Sequence, residues 1–124
     1  MGKSSKVFVG MDVHKESIEV TLAEVGGAVS RLGQIGGDRA SLLKMVRRQQ
    51  SRGGELVFVY EAGPCGFWIH REITGLGLAC MVVSPALVPR RAGDHVKTDR
   101  RDSERLASLA RAGELDAIHV PDIR

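Results

Sequence analysis

The sequence predicts an α/β domain in which helices flank a mixed five-stranded sheet. Two observations carry this prediction: short runs of β-forming residues, and intervening segments with an apolar stripe at helical spacing. Along the chain these segments follow the order β-β-β-α-β-α-β-α. This order is typical of an antiparallel meander of three strands followed by right-handed crossovers onto parallel strands.

The first part of the chain predicts the three strands of the meander. The run "KVFVGMDVH" at 6–14 is almost continuously apolar, which is typical of a strand buried on both faces, and Asp12 interrupts it. Residues 17–25 alternate apolar side chains with polar ones such as Glu19, so they predict a half-buried strand. A glycine pair then predicts a turn into a third strand near 28–35.

The rest of the chain predicts three helices and two parallel strands. They are, in order, a helix capped by Asp38 and stopped by Gly53–Gly54, a strand at 55–61, a loop and helix at 63–77, a strand at 78–84, and a helix from Asp99 to about 112. If the first helix returns the chain beside the first strand, the first and fourth strands are parallel neighbours. Asp12 and Glu61, each about six residues into its strand, then lie near the same end of the sheet.

Length and composition predict one soluble intracellular domain spanning 1–124. The hydrophobic fraction of 43% over 124 residues is enough for a core. The start lacks an apolar signal-peptide core and no stretch approaches ~20 apolar residues, so we expect a cytoplasmic protein with no membrane partner. Cys65 and Cys80 have no metal-binding or redox spacing, which predicts reduced core thiols. Aromatic residues make up only 4%, which disfavours a base-stacking platform for single strands.

Four acidic residues are the candidate catalytic and metal-binding residues: Asp12, Glu61, Asp99 and Asp102. The last two are three apart, on the helix side that continues through Leu106, so they point toward the domain body. Carboxylates gathered at the edge of a core repel one another unless a cation compensates them. Mg²⁺ or Mn²⁺ prefers such oxygen ligands, and two ions about 4 Å apart can drive phosphodiester cleavage.

Basic residues surround these acids and predict a phosphate-binding surface. The candidate nucleic-acid-binding residues are Lys15, Arg90, Arg91, Lys97, Arg100, Arg101 and Arg105. The whole chain has 18 Lys and Arg against 15 Asp and Glu, a net charge of +3. The clustering of basic residues in the segment at 90–105 is therefore more informative than the net charge of the chain. His14 and His95 lie near two of the acids and could position water or phosphate, although structural histidines are more common.

Each acid also has an ordinary structural interpretation. Asp99 could be a helix N-cap with Asp102 favouring the helix dipole, as is common at helix starts. Asp12 could pair with Lys15 or an arginine, and Glu61 could cap the loop that follows it. Taken together, these structural interpretations are less convincing than each is alone, because the predicted topology brings all four acids together.

Three blocks of this sequence resemble a known family. "GMDVHKESIEV", "YEAGPCGFWIHREI" and "VKTDRRDSERLA" are similar to blocks of the DEDD-type transposases of insertion sequence family one-ten, which are related to the Piv-type DNA invertases. The resemblance implies a RuvC-like, ribonuclease H-like domain with Asp12, Glu61, Asp99 and Asp102 as the acidic tetrad that binds Mg²⁺. It also implies DNA as substrate, a bridge or guide RNA in some members, and a C-terminal domain whose nucleophilic serine matches no residue here.

The leading hypothesis is therefore a metal-dependent DNA cleavage and strand-transfer domain of an insertion-sequence transposase. An alternative is a module that binds guide RNA or DNA without independent catalysis. A fragment of an actin-like sugar or acetate kinase is disfavoured, because Val13–His14 replace the glycine that such phosphate loops need after the aspartate. A homo-oligomer, dimer or tetramer, is expected because recombination holds two duplexes together.

Overall fold

The computed structural model describes residues 6–63, 67–84 and 99–118, and the side chains of the last segment from Asp102 onward. The elements are β1 (Lys6–Val13), β2 (Ser17–Glu24), β3 (Val29–Gly36), α1 (Arg39–Ser51), β4 (Glu55–Glu61), α2 (Trp68–Gly75), β5 (Ala79–Val83) and α3 (Asp99–Arg111). The order and approximate bounds agree with the sequence-based prediction.

The five strands form one mixed sheet in the order β3-β2-β1-β4-β5. β1 and β2, and β2 and β3, are antiparallel, whereas β1 and β4, and β4 and β5, are parallel. The predicted meander and crossovers are confirmed, including the pairing of the first and fourth strands. β1 lies at the centre and is apolar on both faces, as the nearly continuous run of β-forming residues predicts.

One face of the sheet packs against α1 and α2. Val9 and Met11 of β1 join Phe58 and Tyr60 of β4 in a core cluster that includes the inward side chains of both helices. The helical members of this cluster are Leu42, Met45, Val46, Ile69 and Ile73. Because side chains alternate along a strand, Phe8, Gly10 and Asp12 belong to the opposite face.

The opposite face packs against α3. Leu106 and Ala110 of α3 cluster with Val59 of β4 and Val83 of β5. A β-carbon at Gly10 would lie 2.4 Å from the backbone oxygen of Ser103 and 2.6 Å from the backbone nitrogen of Ala107. The helix backbone therefore crosses directly over the middle of β1, at a place where only glycine leaves room for it.

The prediction of a half-buried β2 is wrong. Glu19, Thr21 and Ala23, on the face expected to be exposed, are 5%, 0% and 0% exposed. The physical reason is α3, which covers this face, and Thr21 Oγ1 lies 2.8 Å from Ser103 Oγ in a buried hydrogen bond. The alternation of the strand distinguishes its two faces but does not reveal whether a distant helix covers the polar one.

A β-bulge in the β2–β3 pair determines which side chains share the α3 face. Val20 pairs with Gly33 and Thr21 with Arg31, so one residue of β3 is extra at this point. Gly33 has φ of 128°, a conformation that side-chain-bearing residues rarely adopt. Without the extra residue, Arg31 would oppose Leu22 and be directed into the α1/α2 core. The bulge instead places Arg31 on the α3 face.

The helices are short and their ends have identifiable causes. Asp38 caps α1 as predicted, because its carboxylate accepts hydrogen bonds from the backbone nitrogen and the hydroxyl of Ser41. Gly53 and Gly113, both with positive φ, follow the ends of α1 and α3. No helix in the described part of the chain is long and apolar enough to cross a membrane.

Candidate metal and phosphate-binding site

Asp12 and Glu61 lie on the same face of neighbouring parallel strands. Met11 pairs with Tyr60, and one step further in the same register brings Asp12 beside Glu61. Glu61 also pairs with Val83, which belongs to the cluster under α3, so its side chain is on the α3 face like that of Asp12. Both acids are at the carboxyl ends of their strands, where the chain leaves the sheet.

The direction of α3 brings its first turn to this same end of the sheet. At its C-terminal end, Arg111 donates hydrogen bonds to the carbonyl oxygens of Glu24 and Gly27. Glu24 pairs with Val7, at the beginning of β1. Since Ser103 and Ala107 lie over Gly10, α3 runs antiparallel to β1. The backbone positions of Asp99 and Asp102 are therefore near the end of β1 that carries Asp12.

The two α3 aspartates are described to different extents. Asp102 is half-buried and precedes Leu106 by four residues, so the two occupy the same side of the helix. Asp99 is the first residue of α3, and its side chain lies outside the described part. Their roles as metal ligands stay predictions.

Asp12 is partly shielded and hydrogen-bonded to a histidine. Its side chain is 16% exposed, and its Oδ2 lies 3.1 Å from Nε2 of His14, whose own side chain is 42% exposed. The two residues are two apart on β1 and its extension, so both project to the α3 side. The contact fixes one carboxylate oxygen of Asp12 and leaves the histidine ring accessible.

Glu19 is a further acid at this site that sequence reasoning missed. It pairs directly with Asp12 across the β1–β2 ladder, so the two side chains share a face. Glu19 Oε1 accepts a hydrogen bond of 2.9 Å from Arg31 Nη2, and the side chain of Glu19 is 7% exposed. The sequence signal that could have identified it is its position opposite the anomalous Asp12 in the hairpin register.

The structure describes only some of the predicted phosphate-binding residues. Lys15 is exposed in the turn after β1, three residues beyond Asp12, and Arg105 is half-buried on α3. Arg100 and Arg101 are in the first turn of α3, but their side chains lie outside the described part. Arg90, Arg91 and Lys97, as well as His95, lie outside the described residues altogether.

The donor chemistry at this end of the sheet fits a hard divalent cation. Asp12, Glu61 and Asp102 offer carboxylate oxygens, the ligands that Mg²⁺ and Mn²⁺ prefer. Within 6–63, 67–84 and 102–118, no group of three or more Asp, Glu, His or Cys side chains is close enough together to hold a metal ion. The described residues therefore supply two strand acids on one face, Asp12 and Glu61, and the half-buried Asp102 on the helix that packs on that face.

Other groups with nucleophilic or acid–base potential lie away from these acids. Burial raises the pKa of the Cys80 thiol to about 12, which makes it inert and agrees with the predicted core thiol, while Cys65 lies outside the described residues. Partial burial and the neighbouring Arg71 lower the pKa of His70 on α2. Since α2 packs on the other face of the sheet, neither group belongs to the acidic site.

The arrangement of sheet and helices defines a RuvC-like, ribonuclease H-like fold. The chain superimposes on RuvC of Thermus thermophilus with a TM-score of 0.59 and 12% identity, covering 90% of this chain and 99% of RuvC. A second structure, T. thermophilus RuvC in complex with a Holliday junction substrate, gives a TM-score of 0.56 and 11% identity, covering 91% of this chain and 99% of that one. At these identities the similarity establishes the fold.

Sequence comparison establishes the family. Residues 9–124 match a family described as transposase, the DEDD-type transposases of insertion sequence family one-ten, and the chain belongs to it. It is 43% identical over 119 residues to y4qE of Sinorhizobium fredii, named as a transposase, covering 94% of this chain and 30% of y4qE. It is 35% identical over 108 residues to the transposase for insertion sequence element IS1533 of Leptospira borgpetersenii, covering 86% of this chain and 31% of that protein.

The chain thus spans about 30% of the length of these two relatives. The family predicted from the three sequence blocks is confirmed, and so is the predicted fold.

Proposed function

We propose that this chain is the metal-dependent nuclease domain of an insertion-sequence transposase and acts on DNA phosphodiester bonds. The observation that carries the proposal is the strand register that brings Asp12 beside Glu61 on one face of parallel strands, at the end where α3 begins. In the proposed site, Asp12 and Glu61 from the strands and Asp99 and Asp102 from the helix would together hold two divalent ions. Membership of a transposase family supports DNA as the substrate.

In this proposal the strand acids and the helix acids have different roles. Asp12 and Glu61, on the rigid centre of the sheet, hold Mg²⁺ or Mn²⁺, and Asp99 and Asp102 complete the site from the helix. Two bound divalent ions supply an activated water or hydroxyl nucleophile and stabilise the leaving oxygen. His14 orients Asp12 through the 3.1 Å contact.

The cations of this end hold the phosphate backbone of the substrate. Lys15 is exposed three residues beyond Asp12, and Arg100, Arg101 and Arg105 follow Asp99 along α3. Arg90, Arg91 and Lys97 precede that helix and extend the same basic segment. Arginine side chains suit this task because their planar fork binds phosphate oxygens in pairs.

The proposal extends to the assembly in which the domain works. We infer that residues 1–124 form a single catalytic domain of a longer cytoplasmic transposase, which acts as a homo-oligomer because strand exchange must hold two duplexes. A bridge or guide RNA is a further partner of this proposal.

The test is cleavage of branched DNA by the full-length transposase in Mg²⁺ or Mn²⁺. Asp12→Asn keeps the size of the side chain but removes its charge, and we expect activity to fall at least 100-fold. Asp116→Asn, an exposed residue beyond α3, is the matched control and should retain full activity. Unchanged cleavage by Asp12→Asn refutes the proposal, and DNA binding without cleavage by the wild-type protein supports the alternative of a binding module.

A further inference from the structure

The outer face of α1 carries a group of cations that the acidic site does not use. Leu42, Met45, Val46 and Gln49 are buried against the sheet, and the residues on the opposite side of the helix are exposed. Lys44, Arg47 and Arg48 project from this outer side, and Arg52 follows at the C-cap. These four residues are called the α1 basic face.

The α1 basic face is not neutralised by acids. No Asp or Glu occurs between Asp38 and Glu55 in the sequence. Among the described residues, Lys44, Arg47 and Arg48 have no ion-pair partner, whereas Arg39 at the start of the helix pairs with Glu72 at 2.8 Å. Lys44, Arg47 and Arg48 therefore concentrate positive charge on the outer side of α1, while Arg52 Nη1 at the C-cap donates a hydrogen bond of 3.3 Å to Gln49 Oε1. Such a concentration attracts polyanions.

The sheet separates the α1 basic face from the acidic site. α1 packs on the face that carries Met11, whereas Asp12 and Glu61 are on the α3 face. A phosphate backbone lying along α1 is consequently a different segment from one whose phosphodiester bond reaches the acids.

We propose that the α1 basic face binds the backbone of a second DNA duplex while the acidic site engages the segment to be cut. This inference rests on the proposed function for the identity of the polyanion. From Lys44 to Arg52 the cations span about 12 Å, at 1.5 Å per residue. Duplex DNA carries one charge per ~1.7 Å of axis, so about seven phosphate charges lie along that length.

The composition of the face favours duplex DNA over single-stranded nucleic acid. α1 contains no aromatic residue, whereas recognition of unpaired bases relies on stacking against aromatic rings. Long cationic side chains on a helix surface can contact backbone phosphates without reading bases. The second duplex is thus held without sequence preference. A backbone contact of this kind suits a recombination domain that holds two DNA segments.

The first test maps the contact by nuclear magnetic resonance. An unbranched duplex of about 20 base pairs is titrated into the ¹⁵N-labelled chain in buffer with EDTA, so that no metal occupies the acidic site. We expect amide signals of 44–52 to shift, and to shift equally in Asp12→Asn. Absence of shifts on α1 overturns the proposal, and shifts caused by an RNA hairpin but not by the duplex overturn the assignment to DNA.

The second test compares two charge-matched double variants. Lys44→Gln/Arg47→Gln removes two cations from the face, before the last helical turn, and glutamine preserves helix propensity. Lys6→Gln/Arg39→Gln removes two cations that already pair with Glu55 and Glu72. The first variant should weaken duplex binding about tenfold and lower the slope of log K against log salt by about 2, and the control should change neither.

Equal losses in the two variants overturn the proposal, because they show a general effect of net charge. The proposed function is tested separately by DNA cleavage in Asp12→Asn. If that variant cleaves normally, the nuclease assignment fails while the map of the α1 contact is unaffected.

Discussion

The ion pair of Glu19 with Arg31 shows how individual residues control the electrostatics beside Asp12. Glu19 is 5% exposed and pairs with Asp12 in the β1–β2 ladder, so two carboxylates are neighbours at the edge of the core. A buried carboxylate without a partner is costly, and like charges add to that cost. The bulge at Gly33 places Arg31 on this face, where its guanidinium compensates the charge of Glu19.

Arg31→Gln should therefore destabilise the domain by about 1–2 kcal/mol, because it leaves Glu19 buried and unpaired. The expected loss is smaller than the ~3–5 kcal/mol for breaking a fully buried pair, because the Arg31 side chain is 40% exposed. The double variant Glu19→Gln/Arg31→Gln removes both charges and should recover most of the loss. Urea unfolding of the wild type, Arg31→Gln and the double variant measures these free energies. A double variant that is no more stable than Arg31→Gln contradicts the account.

The sequence predicted some of these residues and could not predict others. Asp12 and Glu61 were identifiable because each interrupts or ends a run of apolar β-formers. Glu19 was hidden, because an acid in an alternating strand is normal on a solvent-facing side. Its burial depends on Ser103 and its neighbours, which contact β2 from more than eighty residues away along the chain.

At the scale of elements, the seating of α3 on β1 holds the site together. The helix lies directly over Gly10 and is tied to β2 by the buried hydrogen bond between Thr21 and Ser103. Its other end is anchored by Arg111 on the carbonyl oxygens of the β2–β3 turn. These contacts fix both the height and the direction of the helix that carries Asp102.

Gly10→Ala should displace α3, since the added β-carbon would lie within 3 Å of its backbone at Ser103 and Ala107. We expect a loss of about 1–3 kcal/mol in the free energy of unfolding, as for an overpacked core, together with loss of DNA cleavage. Gly75→Ala is the matched control, because a β-carbon added there would meet nothing within 4 Å. Thermal unfolding of both variants is the measurement, and equal stability of Gly10→Ala and wild type would contradict the proposed close packing.

The elements themselves were largely predictable because each carries local signals. The alternating and apolar runs identify the strands, and Asp38 and Gly53 mark the ends of α1. The bulge at Gly33 was not predicted, because glycine in a strand can serve several purposes and its partner strand decides which.

At the scale of the whole molecule, topology unites residues that are distant in sequence. The meander puts β1 in the centre, the crossover through α1 places β4 beside it, and α3 returns antiparallel across both. Acids at 12, 61 and 102 consequently share one end of one face. Rules of strand connection sufficed to predict the first two, and an apolar stripe through Leu106 predicted the side of α3.

The sequence did not predict that the cations of α1 lie on the opposite side of the sheet from the acids. The segment at 90–105 attracts attention because its cations surround acids, whereas the cations of α1 resemble an ordinary solvated helix surface. Only the fold shows that the sheet lies between α1 and the acids. The proposed duplex contact on α1 and the proposed cleavage at the acids would therefore engage DNA from opposite faces of the sheet.

The most direct test of the central claim, a metal site built from the strand and helix acids, is calorimetric titration of Mn²⁺ into the chain. Four proteins are compared: wild type, Asp12→Asn, Asp102→Asn and the control Asp116→Asn. The account predicts binding in the wild type and the control, a loss in Asp12→Asn and at least tenfold weaker affinity in Asp102→Asn. Equal affinity in all four proteins, or no binding in any of them, would contradict it.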